Sequence, residues 1–354
     1  MKYLFFVFIY VSIVLLGCDN TPEIAVQSIN VEIDDVLFIG QQANIKTVFF
    51  PVNTTERNLI YTSSDENILT ISNSGVITPK NKGNVSITIE AQNGTEYSKN
   101  VAVYQIITKP SIINISEEWG PYEKIGGTGT WSIQEIGINN DVEIIINPYI
   151  LVENARLVIS SNGKLITKDN KKNNTKFSNV RVDSTGEYLL ENITIVDLQI
   201  NNRNGRIINC DFLPETRSNY GTGTLYVSVS NASTLELSKN IFRGKCYFSL
   251  FDSPIIRNNL FLSSIESSFS STTFESFEYN TIDINRVSFR GGSYIQNIGY
   301  PTPNINFANN YWGTTDTTLI DNLIIDRNDS LSISYYVNYL PILNEKHELT
   351  PSLE

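Results

Sequence analysis

A six-residue pattern returns five times between Ile207 and Trp312: an apolar residue, two free positions, Asn or Cys, one free position, then a large apolar residue. It reads Ile207-Ile-Asn-Cys210-Asp-Phe212, Leu237-Ser-Lys-Asn240-Ile-Phe242, Ile256-Arg-Asn-Asn259-Leu-Phe261, Phe277-Glu-Tyr-Asn280-Thr-Ile282 and Phe307-Ala-Asn-Asn310-Tyr-Trp312. The fourth positions are 30, 19, 21 and 30 residues apart. A period near 20 suits one coil of a solenoid, and the longer gaps read as a coil with an insertion or a degenerate coil. Each unit of such an array buries its apolar face only against its neighbours. Asn suits the fourth position because its amide both donates and accepts, so stacked Asn side chains can hydrogen-bond along the axis. The pattern is that of a right-handed parallel β-helix. It fixes a fold and names no reaction.

At the N-terminus, Lys2 precedes an apolar run from Tyr3 to Leu16 and then Leu15-Leu16-Gly17-Cys18. A positive start and a 14-residue apolar run form a secretory signal too short for a comfortable membrane span. The stretch ending in Cys18 resembles the bacterial lipobox. That resemblance implies cleavage before Cys18, a diacylglyceryl group on its sulfur, and a chain tethered to the cell envelope. Loss of residues 1–17, whose one charge is Lys2, takes the formal net charge from −11 to −12. So acidic a chain repels phosphate backbones, which argues against a nucleic-acid partner. Cys210 and Cys246 then remain, and two buried thiols are expected in place of a disulfide. His347 is the sole histidine and lies in the C-terminal tail, which makes a Ser–His or Cys–His pair or a histidine metal centre improbable. No metal, no cofactor and a monomeric state are expected.

Residues 18–25 read as a short polar tether. From about 26 to 107 short alternating strands are broken by turn residues, the pattern of a small β-sandwich. The stretch Leu59-Ile-Tyr-Thr-Ser-Ser-Asp65, Ile68-Leu-Thr-Ile71, Ser74-Gly-Val-Ile77, Lys82-Gly-Asn-Val-Ser-Ile-Thr-Ile89 resembles the bacterial Ig-like group 2 domain, with Tyr61 where that family usually has Trp. The resemblance implies a seven-stranded sandwich that serves as spacer or adhesive module, with no catalytic residues. Gly75 and Gly83 fall at its turns. Lys109-Pro110 marks the boundary, and residues 111–354 are assigned to the β-helix with a C-terminal cap. Within it, 213–234 reads as the insertion in the first long gap. Asn309-Asn-Tyr-Trp-Gly-Thr-Thr-Asp316 and Val337-Asn-Tyr-Leu-Pro341 resemble the closing motifs of the pectin-lyase-like superfamily. Between them 317–325 reads as a short amphipathic helix capped by Asp316, and Leu331–Leu340 as a last strand. The expected class is all-β: an Ig-like β-sandwich followed by a right-handed parallel β-helix.

Many relatives with that fold cleave acidic polysaccharides. Hydrolysis needs clustered carboxylates, and a lyase needs a base beside a group that neutralises the substrate carboxylate. Equivalent slots on successive coils lie about 4.8 Å apart, so register decides which charges can cluster. Two positions before the fourth residue the coils present Ser238, Arg257, Glu278 and Ala308, which makes Arg257 and Glu278 neighbours. Arg243 and Asp283 share a column but are separated by Leu262. Arg286 and Arg290 have even spacing on one stretch, and Asp326-Arg-Asn-Asp329 reads as a polar turn sooner than a calcium loop. No column repeats Asp or Glu. Arg257, Asp283, Arg286 and Arg290 are the candidate contacts for an anionic sugar, and catalytic residues stay unassigned.

Three functions compete on this reading. The preferred one is a non-catalytic envelope lipoprotein that binds glycan or a protein partner. The second is a polysaccharide lyase or hydrolase of the same fold. The third is a structural or adhesive surface protein.

Overall fold

The computed structural model describes residues 23–353 apart from 128–131, 168–174, 185, 197, 201–203, 214–223, 230–233, 251–253, 264, 270–275, 284–288, 292–303 and 330–335. Almost every regular element is a β-strand, as the sequence pattern predicts, and the strands bury two separate apolar cores.

The first core gathers Val31, Leu69, Ile77, Val85, Ile87, Ile89, Val101 and Val103 between antiparallel strands. Alternation builds it: Gly83–Ala91 runs buried, exposed or half-buried, buried along its length, and Glu96–Ile107 folds back on it. Gly75 sits at φ +77°, and a Cβ there would lie 3.1 Å from the Tyr61 ring, so the turn excludes a side chain for both reasons.

The strand Glu96–Ile107 belongs to both halves of the molecule. Its first part pairs antiparallel with Gly83–Glu90, while Gln105–Ile107 pairs in parallel with Glu123–Ile125 of the first coil. An open first coil would present unpaired backbone groups along its edge; the sandwich supplies the missing strand. Lys82 pairs with Glu123 at 2.9 Å, Lys124 lies over the Phe38 ring, and Tyr104, Tyr122 and Tyr149 form a run of rings with centroids 5.9 and 4.6 Å apart. The Lys109-Pro110 boundary is therefore bridged by sheet.

The second core runs through the coils. In the sheet of eight strands found among the described residues, Ile144, Leu165, Leu190, Ile207, Leu237, Ile256 and Phe277 stand in one column, and all are buried. Phe212, Phe242 and Phe261 stack behind them at 4.7 Å each, and Phe261 meets the column's own Phe277 at 5.7 Å. At the corner the asparagines form the expected ladder. Asn259 Oδ1 accepts from both the backbone and side-chain amides of Asn240, at 2.9 and 3.0 Å. Asn280 does the same for Asn259, and Asn310 for Asn280. Each remaining amide hydrogen reaches a carbonyl of an adjacent coil, Asn240 to Ile207, Asn259 to Leu237 and Asn280 to Ile256.

The residue before every ladder position has positive φ: Asn192, Asn209, Lys239, Asn258, Tyr279 and Asn309 all lie between 56° and 59°. The same turn marks one more coil, Leu190-Glu-Asn192-Ile193-Thr-Ile195, which the Asn-or-Cys pattern does not cover because Ile193 fills the ladder slot. Asn dominates these positions because its short polar side chain tolerates the left-handed region. Cys210 and Cys246 are buried thiols with no disulfide between them, and burial pushes the Cys246 thiol up.

Three local expectations need revision. Residues 224–229 are no insertion: Thr224–Val229 is a strand of the coil itself, in register with Lys245–Leu250. The insertion thus shrinks to the stretch before Thr224. The helix ends at Asp321, and Ile324–Ile325 joins the sheet beside Phe289–Arg290, because the end of that sheet needs a covering strand. The last strand among the described residues is Tyr336–Asn338, paired with Asn304–Asn306; Leu331–Ser334 lie outside the described residues, as do Cys18, the signal segment and Asp169–Asn174. Asp316 does cap the helix, accepting from Thr318 N and Leu319 N.

Two measurements check this architecture. Asn259→Leu leaves the Asn240 backbone amide without its acceptor and the Leu237 carbonyl without its donor, and about 3 kcal/mol of unfolding free energy should be lost in urea titration. Asn258→Gly, which suits a φ of 57°, should cost far less; equal costs would overturn the register. At the junction, burial first and then Tyr122 and Tyr149 push Tyr104 up to about 12. Its contribution is complete below pH ~10, the unfolded value, and is lost as pH rises from there through about 12. Tyr104→Phe should remove roughly 2 kcal/mol of that alkaline loss, and identical pH slopes in both chains would refute the coupling.

Candidate functional site

On the eight-stranded sheet the inward column fixes what faces out. One residue earlier on each strand come Glu143, Lys164, Leu189, Arg206, Glu236 and Ile255, successive Cα partners along the axis. With Asp141, Asn162, Glu187 and Asn204 along one rim they line an open groove of about 540 Å³. That size falls within the range of ligand sites. The lining is polar and carries both signs of charge.

Two features shape the groove. Tyr188 turns inward, is buried, and has Gly163 and Gly205 as its Cα partners on either side. A Cβ on Gly205 would lie 2.2 Å from the Tyr188 ring, so glycine there is a packing requirement. Burial pushes the Tyr188 phenol up, and its hydroxyl is fully enclosed without a hydrogen-bond partner. The second feature is charge pairing between coils. Lys164 approaches Glu143 at 3.7 Å, Arg257 binds Glu236 at 3.0 Å, and Asn162 donates to Asp141 at 2.9 Å. Arg206, exposed in the middle of the column, makes no ion pair among the described residues.

The three sequence candidates among the described residues, Arg257, Asp283 and Arg290, do not converge. Arg257 stands at the end of the groove, in register with Ser238 and Glu278 as the repeat predicts, though its ion pair is with Glu236 on the preceding coil. Asp283 follows a strand of the neighbouring sheet, where Arg243 in the same column is held by Asp211 at 2.9 and 3.0 Å. Arg290 lies in the third sheet, with Glu266 as its Cα partner. Arg286 falls outside the described residues. The carboxylates of 326–329 serve the backbone, Asp326 accepting from Asn328 N and Val337 N, and no group of three metal-ligating side chains occurs among the described residues.

Sequence reasoning missed the groove because most of its lining precedes the first recognisable repeat. The available signal was the αL asparagine before each corner, which extends the register back to Asn192. The third sheet adds a further column, Tyr226, Tyr247, Glu266 and Arg290, that the same register would have revealed.

The groove's shape rests on glycine, and this is open to test. Gly205→Ala should cost about 1–3 kcal/mol by overpacking against Tyr188, read by thermal unfolding, and the double change Gly205→Ala with Tyr188→Leu should recover part of it. A neutral Gly205→Ala would show that the ring is not packed as described.

No family model matches the chain. Over 84 residues it is 32% identical to the kappa-carrageenase of Pseudoalteromonas carrageenovora, a match taking in 23% of this chain and 21% of that enzyme. Over 92 residues it is 35% identical to an uncharacterized protein of Clostridium acetobutylicum, covering 25% of this chain and 23% of the other. The matched stretches thus span about a fifth of the length of the curated relatives. The chain is similar to a carbohydrate-active enzyme over a module-sized piece.

Proposed function

We propose that the protein is a lipid-anchored bacterial envelope protein whose β-helix binds glycan in the groove of the eight-stranded sheet. Cys18 carries the anchor, residues 26–107 form an Ig-like module of the bacterial group 2 kind, and residues 111–354 form the binding surface. The observation that carries the reading is Arg206: an exposed guanidinium without an ion pair among the described residues, in register with Leu189 on one side and Glu236 on the other, with Lys164 one coil beyond Leu189. A planar fork of donors beside carboxylate acceptors matches the paired hydroxyls and acid groups of a sugar chain. A column repeating every coil suits a ligand that is itself a repeating polymer.

The carrageenase match supports a polysaccharide context. Its 84 residues are close to the length of the sandwich and about a third of the β-helix. A spacer module shared by otherwise different proteins accounts for such a match without carrying over catalytic machinery. The enzymatic reading keeps one observation in its favour, the four groove carboxylates Asp141, Glu143, Glu187 and Glu236. Two of them already engage a cation from the next coil.

One screen separates the readings. The purified chain is passed over immobilised acidic and neutral polysaccharides, with retention and released reducing or unsaturated ends both recorded. Retention without release is expected. Arg206→Ala should weaken it about tenfold, the loss of one charge-assisted hydrogen-bond pair, more at low salt than at high. Asp283→Asn, on another sheet, should leave it unchanged. Release of ends that disappears on changing one groove carboxylate would replace binding with catalysis.

A further inference from the structure

Large apolar side chains are exposed on one strand of the sandwich. On Lys46–Phe50 and the residue pair that follows, Val48 is 56% exposed, Phe50 59% and Val52 73%. Among the described residues this strand pairs on one side only, with Ser28–Glu32. An uncovered apolar strand of this kind is a docking surface or a liability. What lies next to it identifies the occupant.

The chain enters the fold beside this strand. Ile24 accepts from Thr55 N and Thr54 Oγ1 and donates to Thr55 Oγ1, and Gln27 N donates to Phe50 O at 2.8 Å. Five residues lie between Cys18 and Ile24, and the six fully extended steps reach at most about 20 Å. A lipid on Cys18 therefore holds this pole of the sandwich against the bilayer. The other pole carries the β-helix: the strand Glu96–Ile107 starts beside the Asn93 turn, whose side chain donates to Val26 O, and ends paired with the first coil. Arg57, which donates to Val52 O at 2.8 Å and lies over the Phe49 ring, adds a cation at headgroup level. Glu23 and Glu56 nearby offset it, so apolar contact and not charge is the attraction.

We infer that Phe50, Val52 and Val48 form a membrane-resting surface, a second apolar contact that acts with the acyl anchor to hold the sandwich on the bilayer. The inference rests on the lipid-anchor reading. A diacylglyceryl group supplies two acyl chains and anchors the chain by itself; the apolar contact beside it fixes how the sandwich sits on the bilayer.

The test uses the full lipidated chain in vesicles of phosphatidylethanolamine and phosphatidylglycerol, with and without bromine on the acyl chains. Single Phe50→Trp and Val52→Trp chains are compared with Leu319→Trp, exposed on the cap helix, each read against the unsubstituted chain. Contact at about 5–10 Å depth should give Phe50→Trp or Val52→Trp blue-shifted emission and about twofold more bromine quenching than Leu319→Trp. Blue-shifted emission without bromine quenching means that protein, such as a second copy, covers the strand, and overturns the assignment. Emission at the solvent position in vesicle-bound chains overturns it while leaving the anchor intact. The Cys18→Ser chain distinguishes the two ideas: if it and the wild type partition into vesicles equally and no acyl group is found on Cys18, the anchor falls and this surface falls with it.

Discussion

A buried amide ladder sets the phase of the whole coil array. Each ladder asparagine accepts from the backbone amide of the coil before it, Asn259, Asn280 and Asn310 from its side-chain amide as well, and donates back to a carbonyl; Asn240, Asn259, Asn280 and Asn310 are fully buried. An unpaired amide in that position would cost more than the net worth of a satisfied one, so register errors are penalised at every step. The preceding residue must turn left-handed, the next apolar residue must face the core, and the outward columns follow from that parity. The groove over the eight-stranded sheet is thus a consequence of a corner on the other side of the strand.

The outward charges have a different energetic character. Arg257 with Glu236 and Lys164 with Glu143 are partly exposed pairs, each worth about 0–1 kcal/mol. On the sheet that Gln134–Ile138, Ile150–Ile159 and Thr175–Ser184 share, Arg156 bridges Glu135 at 2.7 Å on one neighbouring strand and Asp183 on the other. Stability sits in the column of apolar side chains and in the ladder. Groove side chains can then exchange a neighbour for a ligand at little cost to the fold. Separating the two roles lets a solenoid vary its surface while its interior stays fixed.

The parts readable from sequence were those where one physical requirement dominates. A ladder slot admits few residues, so Asn240, Asn259, Asn280 and Asn310 announced the coils; Cys210 passed because a small buried side chain suffices there. Ile193 was missed, since an apolar residue in the slot looks like any other core position. The sandwich strands were legible through alternation and through Gly75 and Gly83. The helix was drawn too long because Ile324 fits a helical stripe and a sheet column equally well, and only the unfilled sheet end decides. The groove was out of reach: Lys164, Arg206 and Glu236 have unremarkable neighbours in sequence and become a column only once the coils before residue 207 are aligned. Among the described candidates, Arg257 lies on the eight-stranded sheet, Asp283 after a strand of a second sheet and Arg290 on a third, so likeness of charge in sequence does not make a shared place in the fold.

The strand Glu96–Ile107, shared by sandwich and helix, has a mechanical consequence. Val36–Phe38 runs parallel to Ala102–Tyr104, so tension between Ile24 at one pole and the first coil at the other draws these two strands lengthwise past each other. Bonds loaded in that direction are strained together and must fail together, unlike a hairpin peeled open one rung at a time. Twelve residues of strand place about 40 Å between the poles. Tension across the two halves therefore meets a stiff joint loaded in shear.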